Sequence, residues 1–137
     1  MFLDEEIREV IKFNKKMVNK RNESFGVKSD LINKIFNSAN ECTPQIEPDK
    51  RIRILKKTSL IISGITWFQP FDEGNKRTAL AFGIIFLNKN GFDLPLSTQT
   101  KRKIHSLLQN TSFKFENDPS IYSEILDFLS ETVVNIE

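Results

Sequence analysis

The sequence predicts an all-α fold, a compact bundle of six helices, and two observations lead to that prediction. Apolar residues recur at the spacing of a helical face in six segments of the chain. Two of these segments, Leu60 to Phe68 and Ala79 to Leu87, are apolar on almost every side, and such helices belong at the centre of a bundle. The chain has 137 residues, no repeat and no long linker, so we expect a single domain over residues 1–137.

Two helices and a short extended segment are predicted before residue 41. The first helix runs from Asp4 to about Lys20, with its apolar residues on one face. Residues 22–28, called the flap below, are too short and too interrupted by glycine for a helix, and they predict a short β-like segment. We expect Ser29 or Asp30 to cap the second helix. The apolar face of that helix consists of Leu31, Ile32, Ile35, Phe36 and Ala39.

The middle of the chain predicts two buried helices on either side of a polar loop. The third helix is expected over about residues 49–68, after a loop that contains two prolines. Proline and glycine interrupt the pattern at residues 69–74, called the motif loop below. The fourth helix is expected over about residues 75–90, with Gly91 as its C-cap.

Two further helices complete the predicted bundle. The fifth is expected over about residues 98–109, and Asp118 with Pro119 predicts the start of the sixth, as N-cap and first helical residue. The apolar face of the sixth helix consists of Ile121, Ile125, Phe128, Leu129 and Val133. Little or no sheet is expected.

The composition excludes several kinds of site. One histidine, His105, and one cysteine, Cys42, cannot form an internal disulfide or a four-ligand zinc site. The formal net charge is +2 and the basic residues are interspersed with acids, so charge does not support a nucleic-acid or membrane-surface role. No signal-peptide pattern is present, and no apolar stretch reaches the ~18 residues of a membrane span. We therefore expect a cytoplasmic protein.

The motif loop and the helix start after it carry the residues best suited to chemistry. Gly74 and Asn75 stand where a helix begins, so free backbone amides and the positive end of the helix dipole favour an anion there. Lys76 and Arg77 add two positive charges, and arginine can bind phosphate oxygens in a bidentate fork. Glu73 is an oxygen ligand suited to Mg²⁺ beside phosphates. These parts suit phosphoryl or nucleotidyl transfer. A solvated helix start without a ligand has the same spacing, and spacing alone favours neither interpretation.

Residues 69–77, which are the motif loop and the first three residues of the next helix, resemble the motif of the Fic/Doc family, His-x-Phe-x-Asp/Glu-Gly-Asn-Gly/Lys-Arg. They agree with it at every specified position except the first. Because the eighth position of the motif is a lysine, Lys76, the chain resembles the death-on-curing (Doc) branch of the family. Residues 24–31 resemble the family's upstream Gly-x-Arg-Asp-x-x-Leu segment, and residues 78–81 with 86–91 resemble the helix after the motif. The resemblance covers most of the chain and is strongest over residues 59–92. It implies a six-helix Fic/Doc-type bundle.

The resemblance also implies roles for individual residues. Phe71 would anchor the loop in the core, and Glu73 would bind Mg²⁺. The anion cradle would be formed by Gly74 and Asn75, and the phosphates of ATP would be bound by Lys76 and Arg77. The flap residues Phe25, Gly26, Val27 and Lys28 would clamp an extended segment of a target protein by β-addition.

Three residues bear on activity, of which two depart from the adenylylating members and one departs from the motif itself. Adenylylating members have glycine in place of Lys76 and a further arginine in place of Leu80, so both residues resemble Doc, in which the terminal phosphate of ATP faces the target hydroxyl. The third departure is Gln69, which occupies the position of the general-base histidine. An amide can orient a hydroxyl but cannot accept its proton as an imidazole does.

The resemblance implies a Doc-like toxin of a toxin–antitoxin pair, an ATP- and Mg²⁺-dependent kinase that phosphorylates a Ser or Thr hydroxyl of a target such as a translation elongation factor. Its partners would be that target and a cognate antitoxin, and Gln69 would attenuate the activity. Two alternatives stay open: a catalytically inactive Fic-fold module that binds nucleotide or protein, and a protein adenylyltransferase (AMPylation).

Two weaker signals are given little weight. Residues 112–117 fit the short Ser/Thr-x-x-x-Glu-Gly/Asn pattern of the inhibitory helix of some Fic proteins, but the pattern is short enough to arise by chance. His105 lies among lysine and arginine residues, so a surface or boundary position is expected for it.

Overall fold

The third helix, predicted to lie at the centre, contacts four of the other five helices in the computed structural model, which describes residues 3–111 and 120–136. The described helices are α1 Leu3–Lys20, α2 Ser29–Asn40, α3 Lys50–Phe68, α4 Asn75–Lys89, α5 Thr98–Thr111 and α6 Ser120–Thr132. Two strands of two residues each are also present, β1 Phe92–Asp93 and β2 Val134–Asn135. The predicted all-α, six-helix fold is therefore confirmed for the described part of the chain.

The centre of α3 is buried, and the hydroxyls of Thr58, Ser59 and Ser63 there are satisfied within the helix. Ile61, Ile62 and Ile65 are fully or almost fully buried. The hydroxyls of Thr58 and Ser59 are equally buried, and each donates to the carbonyl four residues earlier at 2.7 and 2.8 Å. Such a hydrogen bond offsets most of the free energy that is lost when the hydroxyl is removed from water. This is why a helix with several Ser and Thr residues can form the core.

The helix boundaries agree with the sequence expectations except at the start of α2. The N-cap of α2 is Lys28, which has no side-chain capping bond, rather than Ser29 or Asp30. The backbone amide of Lys28 donates to the carbonyl of Pro70 at 2.7 Å, and this pairing holds Lys28 in an extended conformation directly before the helix. The expectation that a Ser or Asp side chain caps this helix was therefore wrong, because the flap sets the helix start.

At the other end of the bundle the chain terminus pairs with the segment after α4. β1 and β2 are antiparallel, with Phe92 opposite Asn135 and Asp93 opposite Val134. Gly91, at φ +88°, follows the C-terminus of α4 in the left-handed conformation that a C-cap glycine adopts. The expected start of α6 at Asp118 and Pro119 lies outside the described residues. No helix in the described ranges combines the length and the apolar character that crossing a membrane requires.

Candidate functional site: a cleft between the motif loop and helix α5

A cleft of about 690 Å³ lies where the C-terminus of α3, the motif loop and the N-terminus of α4 meet α5. One side, called the motif wall below, consists of Thr66, Gln69, residues 72–77, Leu80, Ala81 and Ile84. The other side, called the α5 wall below, consists of Lys101, His105 and Leu108. Five of the residues with expected catalytic, phosphate or metal roles thus line one cleft with Gln69: Glu73, Gly74, Asn75, Lys76 and Arg77.

Gln69 ends α3 in a conformation that is uncommon for its residue type. Its backbone is left-handed, with φ 49° and ψ 60°, and its amide donates to the carbonyl of Ile65 at 3.1 Å. Only one other described non-glycine residue, Asn22, has a positive φ. A non-glycine residue in this region costs free energy and is held there by its surroundings, which is a common feature of functional sites. The side chain of Gln69 is exposed and lines the cleft.

Phe71 packs the motif loop against the core. The Phe71 side chain is 3% exposed and belongs to the hydrophobic core. Its backbone amide donates to Oδ1 of Asn75 at 3.0 Å, and its carbonyl accepts from Nδ2 of Asn75 at 2.8 Å. The Asn75 side chain therefore closes the loop onto the first turn of α4, and only its backbone amide remains for an anion.

The flap pairs with the motif loop along one of its edges. Val27 forms an antiparallel bridge with Phe71, and the amide of Asp72 donates to the carbonyl of Gly26 at 3.0 Å. A Cβ at position 26 would meet the carboxylate of Asp72, an exposed side chain that would have to move aside. Phe25 is half-buried and lies 5.6 Å from the ammonium group of Lys15, measured to the ring centroid. The flap predicted from the sequence is thus a β-like segment, attached to the candidate site.

The N-terminus of α4 presents its free amides toward the cleft. Gly74 is the N-cap, with φ +74°, and a Cβ there would lie 2.6 Å from Cε of Met17. The first bond within the helix runs from the amide of Thr78 to the carbonyl of Gly74, at 2.9 Å. The amides of residues 75–77 precede that bond and have no acceptor within the helix. Together with the helix dipole they favour a bound anion at this position.

Both expected phosphate-binding cations already contact other parts of the chain. Nζ of Lys76 donates to Oε1 of Gln109 on α5 at 2.9 Å. Arg77 forms an ion pair of 2.8 Å with Glu23, and the two side chains are 35% and 29% exposed. Half-exposed contacts of this kind are weak, with a net value of about 0–1 kcal/mol. A phosphate group could therefore replace Gln109 and Glu23 as acceptors.

The carboxylates of the cleft suit a metal bound together with phosphate. Asp72 and Glu73 are exposed, both line the cleft, and neither forms an ion pair within the described residues. The described ranges contain no group of three or more His, Cys, Asp or Glu side chains that could hold a metal on their own. Mg²⁺ usually takes one or two carboxylates and completes its shell with water and phosphate oxygens. The residues present therefore fit Mg²⁺ that arrives with a nucleotide.

Sequence reasoning missed Asn14, which holds the motif loop from α1. Asn14 is fully buried, and its Nδ2 donates to the carbonyl of Glu73 and to Oγ1 of Thr78, both at 2.9 Å. The sequence did contain a signal, because Asn14 is a polar residue four positions after Val10 and four before Val18 on the apolar face of α1. A polar residue at such a position needs a partner, and here the partner is the loop.

Two other features of the cleft were also missed. Thr66 is fully buried at the cleft, and its hydroxyl has no hydrogen-bond partner among the residues that the structure describes, unlike that of Thr58 on the same helix. His105 is exposed, as expected for a surface residue, but its place on the α5 wall was not foreseen. No sequence signal distinguishes His105 from a surface residue, because its position depends on how α5 packs. The pattern over residues 112–117 lies outside the described residues.

The model of the Fic/DOC family matches residues 4–87, which include α1, α2, α3, the flap, the motif loop and most of α4. No curated protein and no solved structure gives a match to the chain. The matched stretch covers more than half of the chain and contains the whole motif. The chain belongs to the Fic/DOC family.

Proposed function

We propose that this protein is a Doc-like Fic-type transferase that binds ATP with Mg²⁺ in the cleft and transfers the γ-phosphoryl group to a Ser or Thr hydroxyl of a target protein. The observation that carries the proposal is the convergence of the free amides of α4, Lys76 and Arg77 on one cleft that also contains Glu73. Phosphoryl transfer depends mainly on positioning and charge neutralisation, and these groups supply both.

The choice of phosphate over AMP as the transferred group rests on two side chains. Lys76 and Leu80 both line the cleft. In adenylylating members of the family, by the resemblance described above, a glycine and an arginine stand at these positions. The side chain of Lys76 fills space near the start of α4 that a glycine would leave open. Leu80 has no charge, so it cannot make the phosphate contact that an arginine could make at its position. Both features support the Doc-like orientation of ATP and weigh against adenylylation.

In the proposed reaction the target hydroxyl oxygen attacks the γ-phosphorus, and the bond from that phosphorus to the bridging oxygen breaks, so ADP leaves with the electron pair. Arg77 and the amides of residues 75–77 would bind the phosphate oxygens, and Glu73 would hold Mg²⁺, which neutralises phosphate charge. The proton of the hydroxyl needs an acceptor, and Gln69 can only orient the hydroxyl. The proton would then pass to a phosphate oxygen or to water. Loss of a positioned base typically lowers the rate ~10²–10⁴-fold.

The biological role that fits this chemistry is that of an attenuated toxin, with a translation elongation factor as a candidate target and a small antitoxin as its partner. A cytoplasmic location would follow from such a target. The flap supports the protein-substrate part of the proposal, because Phe25, Gly26, Val27 and Lys28 lie in a segment that already pairs as a β-bridge beside the motif loop. An extended target segment bound there by strand addition would reach the cleft.

A second function, binding without catalysis, is favoured by one observation. Gln69 occupies the general-base position of the motif, while the other residues that would bind phosphate and Mg²⁺ line the same cleft. A protein of this kind would bind ATP, or a partner protein, and transfer nothing.

The test compares the protein with its Gln69→His variant in a cell extract that contains ATP labelled at either the α- or the γ-phosphate. Transfer of γ-label to a protein by the variant, at a rate well above that of the unchanged chain, supports the disabled or slow kinase. Transfer of α-label overturns the proposal in favour of adenylylation. The matched control is Gln69→His combined with Arg77→Gln, which should lose the gained activity. Absence of label with both proteins, together with measurable ATP binding, supports the binding module.

A further inference from the structure

The α5 wall lies outside residues 4–87, the stretch that the family model matches. Lys101, His105 and Leu108 are spaced at i, i+4 and i+7 and share one face of α5. Ile104 and Leu108 are 0% and 1% exposed, and they hold the helix against the core. The position of the α5 wall relative to the motif wall is therefore set by packing and not by a mobile surface.

The two walls are close enough for one ligand to touch both. Lys76 at the start of α4 reaches Gln109 on α5 with a hydrogen bond of 2.9 Å. Gln109 is four residues after His105, one helical turn along the same side of α5. A chain of phosphate groups bound at the α4 N-terminus would therefore lie within reach of α5 side chains.

Among the described residues of the cleft, Lys101 is a cation available for a further ligand contact. The cleft contains Lys76, Arg77 and Lys101 against Asp72 and Glu73. Lys76 donates a hydrogen bond to Gln109, and Arg77 forms an ion pair with Glu23. Within residues 3–111 and 120–136, Lys101 forms no ion pair. An exposed cation on the wall of a cleft that already favours anions is suited to bind a phosphate oxygen.

We propose that Lys101 and His105 complete the nucleotide site: the polyphosphate chain lies between the α4 N-terminus and α5, where Lys101 binds a phosphate oxygen and His105 donates a hydrogen bond to the same chain. This inference rests on the proposed function, because it assumes that the cleft binds a nucleoside triphosphate. It adds ligand-binding residues that lie outside the family motif, and it places the phosphate chain across the cleft and not along the motif wall alone.

The experiment measures the affinity of the full chain and four variants for ATP, for inorganic tripolyphosphate and for adenosine by calorimetry, each with Mg²⁺. Lys101→Gln and His105→Gln test the α5 wall. Arg102→Gln is the matched control, because Arg102 is an exposed cation on the same helix that does not line the cleft. Arg77→Gln reports on the motif wall. Thermal unfolding of each variant shows whether its fold is kept.

The proposal expects Lys101→Gln to weaken binding of both ATP and tripolyphosphate by at least about tenfold, the value of one hydrogen bond to a charged group. His105→Gln should have a smaller effect of the same kind, and Arg102→Gln should stay within about twofold of the unchanged chain. Binding of adenosine should not respond to either change on the α5 wall.

Each other result has a separate meaning. If Arg77→Gln weakens ATP binding while Lys101→Gln behaves like Arg102→Gln, the inference about α5 is overturned and the proposed function stands. If Lys101→Gln weakens adenosine as much as tripolyphosphate, Lys101 does not bind phosphate and the inference is also overturned. If the unchanged chain binds neither ATP nor tripolyphosphate, the proposed function fails and this inference fails with it.

Discussion

The side chain of Asn75 hydrogen bonds the backbone of Phe71 in both directions, accepting from its amide at 3.0 Å and donating to its carbonyl at 2.8 Å. One side chain at the first residue of α4 therefore satisfies two backbone groups of the motif loop. Because Phe71 is also buried in the core, the loop is fixed from both ends, by apolar packing and by this pair of bonds. The start of α4, which carries the free amides, is thereby joined directly to the motif loop.

We expect Asn75→Ala to destabilise the protein by about 1–3 kcal/mol, because two part-buried backbone groups of Phe71 lose their partner. The higher helix propensity of alanine offsets only about 0.5 kcal/mol of this loss. Urea-induced unfolding measures the difference. The control is Asn33→Ala, an exposed position on α2 with the same gain in propensity and no loop to hold, which should be neutral or slightly stabilising. Equal effects of the two changes would contradict the role given to Asn75.

We expect Glu23→Gln to raise the affinity for tripolyphosphate about threefold or more, because Arg77 no longer has a carboxylate partner that competes with phosphate. The free energy of unfolding should change by less than about 1 kcal/mol, since the Glu23–Arg77 pair is half-exposed. The control is Glu9→Gln, which removes an ion pair with Lys89 and leaves Arg77 untouched. A lower affinity of the Glu23 variant would mean that Glu23 orients Arg77 for the ligand instead of competing with it.

The fold and half of the cleft could be predicted from the sequence, because both depend on patterns of neighbouring residues. The apolar periodicity of α3 and α4 and the Gly74 helix start depend on neighbouring residues, which the sequence displays directly. The α5 wall depends on how two distant segments pack, and no local pattern identifies Lys101 or His105 as parts of the cleft. The cap of α2 was predicted wrongly for the same reason, because its position depends on a backbone bond between Lys28 and Pro70.

We expect Thr66→Val to stabilise the protein by about 1 kcal/mol, because it removes a buried hydroxyl that has no partner while keeping the shape of the side chain. The matched control on the same helix is Thr58→Val, which removes a hydroxyl that donates to the carbonyl of Ile54 at 2.7 Å. That change should destabilise the protein. Opposite signs in the two unfolding measurements would confirm that the Thr66 hydroxyl is unsatisfied, whereas losses in both would show that it has a partner in solution.

Glu6, on the first turn of α1, should make the stability of the folded protein depend on pH. Burial raises its pKa above the ordinary 4.5 and outweighs the opposing attraction from Lys57 and Lys89. The folded state therefore binds this proton more tightly than the unfolded state, and the resulting stability is present below the unfolded pKa and is lost as pH rises through the folded pKa. Above the folded pKa the carboxylate is ionised in both states, and the cost of its burial remains.

Glu6→Gln should accordingly raise the free energy of unfolding at pH 7, and this advantage should shrink when both measurements are repeated near pH 4. Glu5→Gln is the matched control, because Glu5 lies on the same helical turn and is exposed. Glu5→Gln removes the same interaction between a carboxylate and the helix dipole as Glu6→Gln does. At an exposed site this interaction amounts to about 0.3–1 kcal/mol. A stability difference between Glu6→Gln and the unchanged chain that does not vary between the two pH values would contradict burial as the cause, because an uncharged packing effect does not titrate.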